Sequence, residues 1–186
     1  SSKEVLENKV KPAVQAFLEK RGLQLSEEKT RITHIQDGFD FLGFNIRKYK
    51  QKLLTKPTKQ NVLEFVKQIK ETIRKGRGMK TEEISGILNP KLIGWANYYR
   101  HSVAKKAFSF VDYQVHLSIW KWAKRRHARK CKSWLVKKYY NIHAGNRWVF
   151  KARYKNSKGE VKPVELMQIS NVKIRRHTKI RNKANP

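Results

Sequence analysis

The strongest constraint on the fold is a pair of apolar patterns at helical spacing, one directly after the other, in the middle of the chain. Residues three and four positions apart share one face of a helix, so an apolar face of this kind is buried against another element. The first pattern is Leu92, Trp95, Ala96, Tyr99 and Val103, and the second is Phe108, Val111, Val115, Ile119 and Trp122. We therefore predict two central helices, each of which buries one apolar stripe.

The charge of the chain indicates the class of partner. No Asp or Glu occurs from Tyr113 to Gly159, and the whole chain has 44 Lys and Arg against 14 Asp and Glu, a formal net charge of +30. A surface of one sign repels itself and weakens the folded state until an anion is bound. A phosphate backbone supplies that anion and releases its counterions on binding, so we expect a nucleic-acid partner.

An anionic membrane surface is the rival partner for so basic a chain. The sequence has no long uninterrupted apolar run and no signal-peptide pattern, and its basic helices are rich in aromatic residues. We therefore expect no membrane partner. Because 39% of the residues are hydrophobic, the chain is able to bury a core and is not a disordered basic tail.

The N-terminal region, residues 1–52, has a mixed pattern. The spacing predicts a helix from Glu4 to Lys20, which Pro12 either kinks or begins. It also predicts a β-hairpin from Arg31 to Tyr49 that turns at Asp37-Gly38 and packs on this helix. A lone helix and hairpin do not close a core, and the chain does not begin with Met, so we expect a missing N-terminal portion.

Residues 53–140 are predicted to form an all-α bundle. A helix opens at Pro57-Thr58 and breaks near Gly76, and Thr81 is the predicted N-cap of the next helix. That helix is predicted to stop at Asn89-Pro90, where the first central helix begins. The last region, residues 141–186, is predicted to be irregular, with short strands or loops around Trp148 and Val161 to Ile169, a turn at residues 156–159, and a basic arm.

The residues show no pattern typical of a catalytic or metal site. The few carboxylates form no pair on a recognisable spacing, and Asp112 stands alone in a basic helix. His127 and Cys131 are four residues apart, but two ligands do not make a zinc site. There is no phosphate-binding glycine loop. We therefore predict no catalytic residue, no metal ligand and no cofactor in this chain.

Apart from these absent motifs, the main feature of the sequence is a set of basic residues interleaved with aromatic ones. At helical spacing Trp95, Tyr99 and Trp122 are predicted to be core residues, whereas Tyr98, Tyr139 and Tyr140 are equally consistent with the core and with stacking on unpaired bases. The predicted nucleic-acid contacts are Arg77, Arg100, Lys105, Lys106, Lys121, Lys124, Arg125, Arg126, Arg129, Lys130, Lys132, Lys137, Lys138, Arg147, Lys173, Arg175, Arg176, Lys179 and Arg181.

Four segments resemble bacterial group II intron-encoded reverse transcriptases, which are also maturases. Gly-Leu-Gln-Leu-Ser-Glu-Glu-Lys-Thr (residues 22–30) and Phe-Asp-Phe-Leu-Gly-Phe (residues 39–44) look like the last blocks of the polymerase palm. Leu-Ile-Gly-Trp-Ala-Asn-Tyr-Tyr-Arg (residues 92–100) is similar to the start of the maturase signature, domain X, which is also the thumb. Arg-Arg-His-Thr-Lys-Ile (residues 175–180) resembles the family's DNA-binding segment.

The resemblance implies a fold and a function. The fold is mainly α: residues 1–52 are the helix and hairpin remnant of an α+β palm, residues 53–140 an all-α thumb bundle, and residues 141–186 an irregular basic DNA-binding region. Phe41, Leu42, Gly43 and Phe44 match the block that supports the primer end, and Lys29 matches a block beside the active site. The implied partners are group II intron RNA, the template–primer duplex, target DNA and the missing palm and fingers.

The resemblance also implies an activity for the parent protein, which is an RNA-directed DNA polymerase that uses Mg²⁺ in the bacterial cytoplasm and lies on the nucleoid when bound to DNA. The Tyr-x-Asp-Asp motif that holds those ions in the family is absent here, and no His-Asn-His endonuclease motif follows. We therefore expect that this stretch alone neither polymerises nor cuts DNA, and that it assists splicing and retrohoming by binding. A non-enzymatic protein that binds structured RNA is the alternative.

Overall fold

The structure is a computed structural model that describes residues 3–143, 147–155 and 160–175. The chain is mainly α, as predicted, and it divides into two compact units. The first unit is Ser1–Phe39 with Ile46–Leu53, and the second is Asp40–Asn45 with Leu54–Pro186. Within the described part of the chain, no helix combines the length and the apolar character needed to cross a membrane.

The first unit begins with a helical segment, as predicted. It consists of α1 (Lys3–Val5), a π-helical turn (Leu6–Val10) and α2 (Lys11–Glu19). Pro12 lies in the first turn of α2, directly after the π-helical turn. None of the residues from Lys3 to Glu19 is buried in the described structure.

The predicted hairpin from Arg31 to Tyr49 is wrong in its first half. Residues 31–38 contain no strand, because the N–H groups of Asp37 and Gly38 both donate to the carbonyl of His34 in a helical turn instead of pairing across a ladder. The strands that form are β1 (Phe39–Phe41), β2 (Phe44–Tyr49) and β3 (Lys52–Pro57), in the sheet order β1-β2-β3. Leu42 and Gly43, with φ of 47° and 78°, supply the turn after β1.

Four longer helices belong to the second unit: α3 (Lys59–Lys75), α4 (Thr81–Tyr99), α5 (Lys105–Arg126) and α6 (Lys132–Tyr139). The hydroxyl of Thr58 accepts the N–H of Asn61 at 3.2 Å and so caps α3. The prediction that Thr81 caps α4 is wrong by one residue. Lys80 holds that position, and its N–H donates to the Glu83 carboxylate at 2.9 Å.

The predicted helix end at Asn89-Pro90 is also wrong, because α4 continues through Pro90 to Tyr99. Asn89 does not cap a helix. Its side-chain amide donates to the carbonyl of Glu165 at 3.0 Å, and its side-chain oxygen accepts the N–H of Met167 at 2.8 Å. The helix keeps its path through the proline because residues on both sides of it, such as Leu88 and Leu92, are fully buried.

The two apolar stripes are confirmed with one exception. All five residues of the second stripe on α5 are buried, as are Leu92, Ala96 and Tyr99 of the first. Trp95 packs against this core while remaining partly exposed, with its ring 4.7 Å from that of Phe65. Val103 is 51% exposed, so its prediction is wrong: α4 ends at Tyr99 and the chain has already turned.

A second sheet follows α6. Its strands are β4 (Tyr140–His143), β5 (Arg147–Lys155) and β6 (Val161–Glu165), and a 3₁₀ turn follows at Ile169–Asn171. Both pairings are antiparallel, with Tyr140 opposite Phe150 and Lys151 opposite Glu165. The strands predicted as one alternative around Trp148 and from Val161 are confirmed by β5 and β6. The description of this region as irregular is wrong for these strands, because the buried Phe150 of β5 joins the helical core. The turn predicted at residues 156–159 lies outside the described residues.

Candidate nucleic-acid interface

A basic cleft runs between α3 and α5. The α3–α5 cleft has a volume of about 640 Å³, and its walls carry no Asp or Glu. Its cationic residues are Lys70, Arg74, Arg77, Lys121, Arg125 and Arg126. All six side chains are exposed, and none forms an ion pair with a described residue. The cleft therefore presents a positive field that the protein itself does not neutralise.

Helical spacing explains how these cations converge. Lys70 and Arg74 are four residues apart on α3, and Lys121 and Arg125 are four residues apart on α5, so each pair projects from one face. Three of these cations directly adjoin a buried residue of their helix: Lys70 adjoins Ile69, Arg74 adjoins Ile73, and Lys121 adjoins Trp122. Packing α3 against α5 through these buried residues therefore brings the two basic faces to the rim of one cleft.

Trp122 and Arg126 hold the inner end of this cleft in place. Trp122 is 5% exposed, and its indole N–H donates to the carbonyl of Gly76 at 3.0 Å. The guanidinium of Arg126 lies 5.2 Å from the Trp122 ring centroid and donates to the carbonyl of Met79 at 2.6 Å. Because one guanidinium nitrogen is used in this way, the cation is oriented before any ligand arrives.

Trp122 and Arg126 also line a second cleft, so the two clefts meet at these residues. The α6–β5 cleft has a volume of about 630 Å³ and contains a single carboxylate in its wall, that of Glu82. Its cationic residues are Lys80, Arg126, Lys137, Lys138, Lys151 and Arg153. The basic surface therefore continues from α3 across the end of α5 to α6 and β5.

His127 lies in the α6–β5 cleft. Its Nε2 atom lies 2.6 Å from the Tyr139 hydroxyl, and its ring stacks edge-on against Trp134. Burial, followed by the charges of Lys138 and Arg126, lowers the pKa of His127. The cations of the cleft are thus close enough to disfavour one further positive charge, which a bound phosphate would relieve.

The turn between α4 and α5 holds the C-terminal segment. The ammonium of Lys105 donates to the carbonyls of Ser170 and Val172 at 2.7 and 2.8 Å, and the N–H of Arg175 donates to the carbonyl of Arg100 at 2.9 Å. The two predicted contact residues Arg100 and Lys105 therefore position the start of the basic arm. Residues beyond Arg175 lie outside the described structure.

The loop Phe41–Phe44 is fixed by two tyrosines of α4. The Tyr98 hydroxyl donates to the carbonyl of Leu42 at 2.7 Å, and that of Tyr99 donates to the carbonyl of Gly43 at 3.2 Å. A Cβ atom on Gly43 would meet the Tyr99 hydroxyl at 2.8 Å, so this position requires glycine. Phe41 and Leu42 remain 59% and 70% exposed.

In the first unit, Lys29 is exposed in a turn.

The structure distributes the predicted contact residues over several surfaces. Arg77, Lys121, Arg125 and Arg126 line the α3–α5 cleft, and Lys137 and Lys138 line the α6–β5 cleft. A third concavity contains Lys124, Lys130 and Lys132. Lys106, Arg129 and Lys173 are exposed elsewhere. Arg147 begins β5, and Arg176, Lys179 and Arg181 fall outside the described residues.

Sequence reasoning missed five cations of the clefts: Lys70, Arg74, Lys80, Lys151 and Arg153. The spacing of Lys70 and Arg74 was a usable signal, since it places both on one face of α3. The structure also decides between core and base stacking for two tyrosines: Tyr139 and Tyr140 are 4% and 3% exposed and belong to the core. Tyr98 is 52% exposed, although its hydroxyl donates a hydrogen bond to the carbonyl of Leu42.

Metal ligands do not gather in the described residues. Across 3–143, 147–155 and 160–175, no group of three or more His, Cys, Asp and Glu side chains is placed to hold an ion. The two oxygens of Asp112 accept the N–H groups of Ile169 and Ser170 at 3.0 and 2.8 Å, and are thereby occupied. The described residues therefore do not fit the Mg²⁺ ions of a polymerase.

Clefts rich in cations without ion-pair partners among the described residues, built on a helical unit, are typical of proteins that bind the phosphate backbone of nucleic acid. Residues 62–140 match the family model described as the group II intron, maturase-specific domain. This match confirms the resemblance of residues 92–100 to the maturase signature. The matched segment is similar to that domain, which implies a function in splicing and the intron RNA as partner. Comparison with curated proteins found no match for the chain.

Proposed function

We propose that the chain binds group II intron RNA along the α3–α5 cleft and its continuation, the α6–β5 cleft, and so supports the folding of the intron for splicing. The observation that carries this proposal is the set of six exposed cations around the α3–α5 cleft, with no carboxylate in its walls. The matched segment 62–140 contains all of these residues. Neutralising several phosphates at once releases counterions and gives strong, salt-dependent binding.

We further propose that the same bundle grips a template–primer duplex as the thumb of a reverse transcriptase. The contacts of Tyr98 and Tyr99 with the loop Phe41–Phe44 support this, because they fix the primer-grip-like loop to α4. The basic arm that begins at Lys173 is proposed to contact target DNA during retrohoming. In this proposal the catalytic Mg²⁺ ions are held by palm residues outside this chain, in a bacterial cytoplasmic protein.

The first experiment compares an intact group II intron RNA with an unrelated structured RNA of equal length across a salt series. The double variant Lys121→Gln and Arg125→Gln is expected to bind both RNAs more weakly. It should also flatten the dependence of log K on log salt by about 0.7 to 0.9 for each lost phosphate contact. An unchanged slope would show that the α3–α5 cleft does not hold the RNA backbone.

The matched control is the double variant Lys59→Gln and Lys67→Gln. These two substitutions remove as many positive charges as the test variant does. Lys59 and Lys67 lie on α3 outside the α3–α5 cleft, in a wall that also contains the carboxylates of Glu64 and Glu71. Affinity and slope should stay near those of the unmodified chain. If the intron RNA keeps its advantage at high salt, the chain contributes shape-specific contacts. If both RNAs weaken together, the chain is a general binder of structured RNA, the alternative function.

A further inference from the structure

A third concavity, which we call the tryptophan pocket, lies on a different face of α5 from the α3–α5 cleft. It is lined by His116, Leu117, Trp120 and Lys124 of α5, by Lys130, Lys132 and Leu135, and by Trp148 of β5. Its volume is about 580 Å³, within the range of small-molecule sites, and no Asp or Glu lines it. It exposes aromatic side chains beside uncompensated cations, whereas the aromatic residue of the α3–α5 cleft, Trp122, is buried.

The aromatic rings of the pocket are only partly covered by protein. The centroids of Trp120 and Trp148 are 6.0 Å apart at an interplanar angle of 43°, and His116 lies 6.3 Å from Trp148. All three side chains are partly exposed, whereas Tyr140 behind them is 3% exposed. The two indole rings pack beside a core residue and stay open to solvent, and we call them the indole platform. Because their planes are tilted by 43°, a planar ring can stack on one of them while its edge meets the other.

The cations of the pocket are arranged around this platform. The ammonium of Lys132 lies 5.2 Å from the Trp148 ring centroid, and Lys124 is one helical turn beyond Trp120. Lys124, Lys130 and Lys132 are exposed and form no ion pair with a described residue. A ligand that carries negative charge on both sides of a planar ring matches this arrangement.

His116 adds hydrogen-bonding capacity inside the pocket. Burial lowers the pKa of His116 and so favours the neutral ring, which offers one donor and one acceptor. The groups facing it from the packed elements are Asp112, one turn earlier on α5, and the aromatic rings of Tyr140 and Trp148. His116 forms no hydrogen bond with any described residue, so both of its ring nitrogens are left for a ligand.

We propose that the tryptophan pocket binds one unpaired nucleotide of the intron RNA, with its base stacked on the indole rings and its flanking phosphates held by the three lysines. The bases of a continuous duplex are stacked on each other and do not offer a face, whereas a bulged or looped base does. An acidic peptide would satisfy the lysines but would leave the indole platform without a planar partner. The inference rests on the proposed function, since it deepens the recognition of intron RNA.

The test uses two RNA hairpins of equal length, one fully paired and one with a single unpaired adenosine. The unmodified chain should bind the bulged hairpin roughly tenfold more tightly, the effect expected for one stacked base. Trp120→Leu and Trp148→Leu should each remove most of this preference while leaving the affinity for the paired hairpin nearly unchanged. Trp134→Leu is the matched control, because Trp134 also lies beside lysines but outside the pocket, and it should keep the preference.

A second readout does not depend on removing a tryptophan. With 2-aminopurine at the unpaired position, binding should quench the probe's fluorescence through stacking, and Lys132→Gln should weaken this complex several-fold. No preference in the unmodified chain, no quenching, or a preference that survives both tryptophan variants would overturn the proposal. An acidic peptide that competes as well as the bulged hairpin would do the same. A failure of the proposed function appears separately, as an unchanged affinity of Lys121→Gln and Arg125→Gln for both hairpins.

Discussion

Replacing Asp112 with alanine tests how the C-terminal segment is held against the helices of the second unit. The two oxygens of this carboxylate accept the N–H groups of Ile169 and Ser170 at 3.0 and 2.8 Å. From the other side, the ammonium of Lys105 donates to the carbonyls of Ser170 and Val172. The variant Asp112→Ala leaves two backbone donors without their partner, while Ile169 itself stays fully buried.

The expected loss follows from these contacts. A hydrogen bond to a charged group contributes about 1.5 to 3 kcal/mol, so two would contribute about 3 to 6 kcal/mol. Burial opposes this, because it raises the pKa of Asp112 more than the hydrogen bonds lower it. We therefore expect Asp112→Ala to lower the free energy of unfolding by about 2 to 4 kcal/mol. With an m-value of about 3 kcal/mol/M, the urea midpoint falls by roughly 1 M.

Tryptophan fluorescence is a suitable assay, because all five tryptophans belong to the second unit. Asp112→Asn, which keeps the volume and one acceptor, should fall between the unmodified chain and Asp112→Ala. Lys105→Met should also destabilise, and the double variant with Asp112→Ala should lose less than the sum of the two, since either change releases the same segment. A midpoint within about 0.2 M of the unmodified chain, or strict additivity, would refute this account.

Three further changes test individual positions. Pro90→Ala should raise the free energy of unfolding by about 2 kcal/mol, because it restores an N–H that can donate to the carbonyl of Gly86. This hydrogen bond should outweigh the larger conformational entropy of the unfolded alanine variant. A lower melting temperature would contradict this. Tyr140→Phe should leave stability unchanged or raise it by about 1 kcal/mol, since the buried hydroxyl has no hydrogen-bond partner among the described residues. A clear loss of stability in urea unfolding would contradict this. Because burial lowers the pKa of His116, the folded state should lose stability as the pH falls below about 6.5, and His116→Gln should reduce that dependence in unfolding curves measured from pH 8 to 5.

The sequence predicted the helices whose apolar residues recur over several turns. The stripe from Phe108 to Trp122 has five apolar residues at helical spacing, and all five are buried, because they share the one face of the helix that packs against the core. The chain also contains enough signature residues for the maturase family to be recognised, and the match over residues 62–140 confirms it. Long periodic patterns and family signatures are both local, so the sequence displays them directly.

The errors have a different physical origin. Asn89-Pro90 is a good local signal for a helix boundary, yet the Asn89 side chain bonds residues 165 and 167, which are more than seventy positions away. Asp37-Gly38 is a good hairpin signal, yet the N–H groups there turn back to His34. For Asn89 a partner far away in the sequence decides the outcome, whereas at Asp37-Gly38 a competing local turn replaces the hairpin turn. The clefts resemble the case of Asn89, since only the packing of α3 against α5 shows which cations face each other.

The placement of Asp112 explains why the basic field of α5 is not cancelled. It is the one carboxylate in this helix, and its oxygens accept the N–H groups of Ile169 and Ser170 and form no ion pair with a described residue. The single negative charge of the helix therefore holds the C-terminal segment. Lys121 and Arg125 line the α3–α5 cleft, and Lys124 lines the tryptophan pocket, and none of the three has a carboxylate beside it in the cleft wall. Because both basic surfaces share α5, an RNA that fills them relieves the repulsion on two faces of one helix. Binding should consequently stabilise the second unit as well as position the RNA.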